Sequence, residues 1–507
     1  MSNHLYDALA RHASDRRRPL IELADGTRVS YGEMFDLVAR LASHLIRAGV
    51  VPGDRVAVQV EKSWQNLALY LACVHAGAVF LPLNTAYQLA ELEYFIGDAQ
   101  PSFIVARPES LDAMRQLCGK GGKGIVESLG TDGDGTLLQA AKDAPILPAV
   151  ARGPDDLAAI LYTSGTTGRS KGAMLTHANL RSNGEVLMDY WRFTEKDVLL
   201  HALPIFHTHG LFVACDVILL AGASMIFLPR FEADQCMSLL PKATSMMAVP
   251  TFYVRLLEHP GLTREATKHI RLFTSGSAPL LAETHRAFAE RTGHAILERY
   301  GMTETNMNTS NPYDGDRIPG TVGFPLPGVE VRVADAETGR VLPRGEVGVL
   351  EVRGPNVFSG YWRMPDKTKA EFRADGFFIT GDVSKIDDRG YVHIVGRAKD
   401  LVITGGYNVY PKEVETELDA IAGVQESAVI GVPHPDFGEG VTAVVVRSPG
   451  AKVTEAEIVA ALSERLAKFK QPKRVFFVDE LPRNTMGKVQ KNVLRETYAQ
   501  TYARAAG

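Results

Sequence analysis

The chain has 507 residues, 45% of them apolar and 22% charged, with a formal net charge of −4. That length exceeds one ordinary domain of roughly 100–200 residues, so about two to four units are expected. The composition excludes a disordered or membrane-spanning chain, and the charge balance excludes a basic field for nucleic acid or an anionic membrane.

Cys73, Cys118, Cys215 and Cys236 form no C-x-x-C pair. They read as separate thiols in a reducing compartment, not as a disulfide or zinc framework. The opening residues M-S-N-H-L-Y-D-A-L-A-R lack the apolar run of a signal peptide. No apolar run approaches the ~18 residues of a membrane span. A soluble, cytoplasmic protein is the expectation.

In chain order, the periodicity predicts an amphipathic helix over Tyr31–Gly49, with Leu37, Val38, Leu41 and Leu45 on one stripe. A strand follows at Arg55–Val58, a helix at Ser63–Ala76 and a strand at Val79–Leu83. This rhythm predicts a mainly parallel sheet covered by helices, repeated from Leu157 to about Pro312. Between Val329 and Val395 the runs shorten and are bounded by glycine and proline, which predicts a small β-barrel. Beyond Gly396 the pattern predicts a compact α+β unit. Its helices are expected at Pro411–Ala420, Thr454–Lys468 and Lys491–Arg504, its strands at Val424–Val432, Val441–Val446 and Val475–Val478. The expected division is 1–396, a hinge at 397–400, and 401–507.

The apolar run Leu157–Tyr162 ends in T-S-G-T-T-G-R-S-K-G. Glycines at Gly165 and Gly168 permit close approach to an anion. Thr163, Ser164, Thr166 and Thr167 add hydroxyl donors, and Lys171 adds a charge. Such a loop can wrap a polyphosphate, although G-x-x-x-x-G-K-[ST] does not fit it.

This loop resembles the signature of the adenylate-forming superfamily, which includes acyl-CoA synthetases, luciferases and peptide-synthetase adenylation domains. So do Tyr300-Gly301-Met302-Thr303-Glu304, Thr380-Gly381-Asp382, Gly396-Arg397-Ala398-Lys399-Asp400 and Pro482-Arg483-Asn484-Thr485-Met486-Gly487-Lys488. They occur in family order along nearly the whole chain. The resemblance implies activation of a carboxylic acid by ATP and Mg²⁺ as an acyl-adenylate, then transfer to coenzyme A.

It also implies roles. Glu304 would hold Mg²⁺, Thr303 the α-phosphate, Asp382 the ribose with Arg397 assisting. Tyr300 would stack on adenine beside Ser277 and Ala278, with Glu298, Arg299 and Gly301 also at the nucleotide. Lys488 would bridge the attacking carboxylate and the α-phosphate. Lys399 matches the hinge, and Gly405, Gly406 and Tyr407 would face the CoA tether. Relatives silenced by lysine acetylation make Lys488 a candidate target of a protein acetyltransferase.

The acid is expected near His207, Thr208, His209, Ser277 and Met302–Thr309. The stretches H-T-H-G-L-F-V-A, S-G-S-A-P-L-L-A-E-T-H-R and Y-G-M-T-E-T-N-M-N-T-S-N resemble malonyl-CoA synthetases. On that likeness Arg286 binds the distal carboxylate of malonate, for which arginine suits by bidentate geometry. Thr208 and Met307 would bound C2, leaving the choice between malonate and methylmalonate open. His207 is expected beside the phosphate or acyl group; the acid is already ionised and needs no general base. Arg286 could instead pair with Glu283 or Glu290 on its own helix. Other readings are a synthetase for another short acid, a freestanding adenylation enzyme loading a carrier protein, and a nucleotide-binding regulator without activity.

Overall fold

The computed structural model describes residues 2–121, 124–163, 170–404, 407–463, 465–484 and 487–503. The chain forms two compact units. One comprises Met1–Val331 with Val352–Phe378, the other Arg332–Glu351 with Ile379–Gly507.

The first unit is built on two helix-covered sheets. The seven-stranded sheet runs in the order Gly360–Tyr361, Lys171–Thr176, Leu157–Thr163, Val79–Pro82, Arg55–Gln59, Phe103–Ala106, Ile125–Ser128. The strands from Leu157–Thr163 onward are parallel, and Val56–Val58, Val79–Leu81 and Phe103–Ala106 are buried at every position. Burial on both faces explains why these segments read as unbroken apolar runs.

The helix Tyr31–Arg47 starts at Ser30, whose side chain and that of Glu33 cap each other's backbone N–H groups. Its apolar stripe Met34, Val38, Leu41 and Leu45 is fully buried. The helix Trp64–His75 starts at the Ser63 cap and is buried from Gln65 to His75, as its all-round apolar character requires.

The nine-stranded sheet runs Phe324–Pro325, Asn306–Ser310, Leu297–Met302, Leu272–Ser275, Ser245–Ala248, Val198–His201, Ser224–Phe227, Pro19–Leu23, Arg28–Ser30. Its central strands are parallel and its outer pairs antiparallel. Loops leaving the carboxyl ends of parallel strands are where ligands of such sheets gather. Leu157–Thr163 and Leu272–Ser275 both end at sequence-predicted site residues.

In the second unit, the glycine-punctuated runs form a four-stranded sheet of Glu330–Ala334, Gly348–Arg353, Phe378–Ile386 and Val392–Arg397. A second sheet holds Tyr407–Val409, Val402–Thr404, Gly438–Arg447 and Val424–His434, with Arg474–Val478 pairing parallel to Gly438–Arg447. Helices Pro411–Asp419 and Glu455–Ser463 cover one face through Val414, Leu418, Ile458 and Leu462. Helix Lys491–Thr497 covers the other through Leu494, against Ala428, Ile430 and Val444. The fold is mixed α/β with mainly parallel sheets and a smaller α+β part toward the C-terminus. Among the described residues, no helix is long and apolar enough to cross a membrane.

Candidate active site

Thr163 and Lys171 are paired across the antiparallel strands that flank the Gly/Ser/Thr loop. The loop residues Ser164, Gly165, Thr166, Thr167 and Gly168 lie outside the described residues. Thr163 Oγ1 lies 3.5 Å from both the Lys171 carbonyl and Glu304 Oε1. Lys171 Nζ pairs with Glu371 Oε1 at 3.1 Å and stands 4.1 Å above the Tyr361 ring. Tyr361 Oη meets Glu371 Oε2 at 2.6 Å and Glu304 Oε1 at 3.1 Å.

Burial, reinforced by the charges of Glu304 and Glu371, pushes the Tyr361 phenol far up, so it stays protonated. Burial also raises Glu371, but hydrogen bonds from Lys367 and Tyr361 and the Lys171 charge outweigh it and hold its carboxyl below the usual range. One phenol proton thus serves two carboxylates, and the shorter contact goes to Glu371. Glu304 is buried, and its two oxygens keep acceptor capacity for a cation. A buried glutamate carboxylate is a hard oxygen donor of the kind Mg²⁺ takes together with phosphate oxygens and water.

The groups expected at the acid lie at the end of Leu272–Ser275. Ser277 has φ of +70°, a left-handed conformation that costs a non-glycine residue about 1–3 kcal/mol. The turn aims Ser277 Oγ at His209 Nδ1, 3.1 Å away. His209 opens the π-helical turn His209–Cys215, an irregularity frequent at functional sites. Burial, followed by the charges of Arg299 and His207, lowers His209 well below its ordinary value, so the ring is neutral at pH 7. The His209 backbone N–H donates to His207 Nδ1 at 3.5 Å. His209 Nε2 and Thr208 Oγ1 are buried without a hydrogen-bond partner among the described residues.

Met307 is buried, with its backbone N–H and carbonyl held by the Asn183 amide. A Cβ at Gly301 would stand 1.8 Å from the Asn306 carbonyl oxygen and 2.6 Å from Met307 Cε, so only glycine fits there. Ser277, Ala278, Tyr300, Gly301 and Thr303 are half-buried along neighbouring strand ends.

In the second unit Asp382 and Arg397 are register partners, and Arg397 Nε donates to Asp382 Oδ1 at 2.6 Å. Lys488 stands on a turn closed by reciprocal bonds: Asn484 N–H to the Lys488 carbonyl, and Lys488 N–H to Asn484 Oδ1, both 2.9 Å. Arg483 braces the turn through the Gly487 carbonyl and Glu426. Lys488 is exposed on this turn. Its ammonium is nonetheless pushed down to about 8, first by desolvation and then by the Arg397 charge, with Asp382 opposing. Lys399 lies in the 3₁₀ turn Ala398–Asp400 and is lowered by desolvation. Gly405 and Gly406, and the side chain of Tyr407, lie outside the described residues.

The pattern of an AMP-binding enzyme matches residues 7–362, and that of an AMP-binding enzyme C-terminal domain matches 413–488. The chain belongs to the AMP-binding enzyme family. This ligase resembles ATP-bound MatB from Rhodopseudomonas palustris, with 63% identity, a TM-score of 0.97 and coverage of 99% of this chain and 100% of that one. It is 38% identical to a feruloyl-CoA synthase of Amycolatopsis, over 93% of this chain and 94% of that protein. It is 36% identical to the mitochondrial malonate–CoA ligase ACSF3 of Mus musculus, over 92% and 87%. It is an AMP-forming acid–thiol ligase.

Within this AMP-binding enzyme, Thr163, Lys171 and Glu304 come together as one cluster, and Asp382, Arg397 and Lys488 as another. Glu298 is buried at the start of its strand. It pairs with His285 at 2.8 Å and accepts the Gly320 N–H at 3.0 Å, tying helix Ala282–Thr292 to its strand. Arg286 on that helix is exposed and makes no ion pair with Glu283 or Glu290. Asn308 is engaged by Thr305 and Asn356 and belongs to the packing. Sequence reasoning missed Tyr361 and Glu371. No motif marks either; Tyr361 reaches the cluster because its two-residue strand pairs with Lys171–Thr176.

Proposed function

We propose that this ligase converts malonate, ATP and CoA to malonyl-CoA, AMP and diphosphate through a malonyl-adenylate. The observation that carries the reading is the small, polar acid side. A neutral His209 bonded to Ser277, with buried Thr208 and Met307, suits a short acid. The likeness to MatB and to malonate–CoA ligases over almost the full chain supports it.

A malonate oxygen attacks the α-phosphorus, and the bond to diphosphate breaks. The CoA sulfur then attacks the acyl carbon, its proton is lost to solvent, and AMP leaves. The Thr163–Lys171 loop would hold the β- and γ-phosphates, and the Lys488 ammonium would sit between the attacking carboxylate and the α-phosphate. Asp382 and Arg397 would take the ribose, and Thr303 an α-phosphate oxygen. Such groups act by positioning and by charge placed before the reaction. Glu304 would hold Mg²⁺, which neutralises phosphate charge when bound. His209, being neutral, donates or accepts a hydrogen bond without repelling the adjacent Arg299. Gly405, Gly406 and Tyr407 would border the CoA tether, and Lys399 would act as the hinge.

The test is a diphosphate-release screen over malonate, methylmalonate, acetate and ferulate. Malonate giving the highest kcat/KM supports the reading. Ferulate leading the series, as the likeness to a feruloyl-CoA synthase allows, replaces it.

A further inference from the structure

Beside His209 and Ser277 lies a buried charge that no described residue balances. Arg299 is only 3% exposed, and its Nε and Nη2 are buried with no hydrogen-bond acceptor among the described residues. Those two nitrogens share one edge of the planar guanidinium. That edge carries two parallel N–H bonds and matches the two oxygens of a carboxylate. Cζ and Nη1 each lie 2.3 Å from where a Cβ on Gly276 would stand. The group therefore rests on the backbone just before Ser277, in space that only a glycine leaves.

The neighbouring carboxylate cannot serve it. Glu298 is already paired with His285 and the Gly320 N–H, and strand alternation turns it to the opposite face. Tyr253 donates to the Thr274 carbonyl and, held neutral by burial, brings no counter-charge. Burial pulls the Arg299 guanidinium down to about 9, which leaves it charged at neutral pH. The same neighbourhood contains two more orphans, His209 Nε2 and Thr208 Oγ1. A buried cation without a partner is costly, and an anion brought by the ligand would supply the acceptor that no described residue provides.

We propose that Arg299 is a specificity residue rather than a nucleotide contact, and that its Nε/Nη2 edge binds the non-reacting carboxylate of a short dicarboxylic acid. Arg286, exposed on helix Ala282–Thr292, adds attraction at the rim. This rests on the reading of the acid as malonate. A monocarboxylic acid of the same length would set a methyl group against the uncompensated guanidinium, so the arrangement selects for the second carboxylate by penalising its absence.

Diphosphate release is measured for the full-length enzyme, Arg299→Gln and Arg299→Lys, with malonate and with propionate, at fixed ATP and CoA. Losing a buried bidentate charge partner lowers kcat/KM for malonate about a hundredfold in Arg299→Gln. Propionate turnover stays level or rises, and the KM for ATP holds. Arg299→Lys keeps the charge and loses the fork, so its malonate loss is smaller, about tenfold.

Malonate kinetics equal to wild type in both variants overturn the assignment. So does an equal loss with both acids, which marks a structural role, and so does a rise in the ATP KM alone. If Arg299→Gln does not fold, Arg299→Lys decides: a loss confined to malonate supports the proposal, and a uniform loss overturns it. A wild-type enzyme active on propionate but not on malonate overturns the malonate reading and this inference together, before any variant is made.

Discussion

The nucleotide-side and acid-side groups differ in how their charges are kept. Among the groups proposed for the nucleotide the charges have counter-groups inside the chain: Lys171 has Glu371, Arg397 has Asp382, and Glu304 has Tyr361 and Thr163. Among the groups proposed for the acid, Arg299 Nε and Nη2, His209 Nε2 and Thr208 Oγ1 are buried without a partner among the described residues. Internal counter-groups hold side chains in place before a ligand arrives. Unpaired groups make binding depend on the ligand's own charges, which suits the part of the site that must choose.

The largest break in this comparison is expected at Lys488. Lys488→Ala lowers adenylation about a thousandfold, the upper range for removing one group that stabilises transition-state charge. Thiolysis of supplied malonyl-AMP continues. Normal diphosphate release by that variant would remove Lys488 from the reaction.

The same residue predicts a pH dependence. Its lowered ammonium carries charge below about pH 8 and loses it above. The kcat/KM for diphosphate release, which reports the free enzyme, is therefore level toward pH 7 and falls as pH rises through 8. A profile that stays flat to pH 9.5 would contradict the assigned protonation.

Arg286→Ala tests the acid side from the rim. An exposed charge is screened by solvent, so the variant raises the malonate KM by about fivefold to tenfold, less than a buried partner would. The KM for ATP does not move. Malonate kinetics identical to wild type would take Arg286 out of the site.

The smallest effect is expected at Tyr361. Tyr361→Phe removes the proton shared between Glu304 and Glu371 and costs about 1 kcal/mol of stability, read from the urea midpoint. The KM for ATP rises as the Lys171–Glu371 pair loosens. A gain in stability would show that the phenol is a burden on the two carboxylates rather than their link.

Much of the fold was legible because its signals are local. The strands over 55–59, 79–82 and 157–163 are apolar runs, and helix Tyr31–Arg47 announces itself by its stripe and its Ser30 cap. Errors were at ends: the helix expected over Thr454–Lys468 spans Glu455–Ser463, and the one over Lys491–Arg504 spans Lys491–Thr497. Periodicity weakens at a helix end, where fraying and turns take over.

By itself the sequence determined the family, the order of the elements and the groups that sit within one motif, such as Lys488 on its turn and Glu304 after Gly301. Only the tertiary structure decided their partners. Lys171 meets Glu371 across 200 positions, and Glu304 meets Tyr361 across 57. It also separated Glu298 from Arg299: adjacent in sequence, one pairs with His285 and the other is buried without an acceptor among the described residues. Strand alternation sends neighbours to opposite faces, and what waits on each face is set by segments far away in the chain.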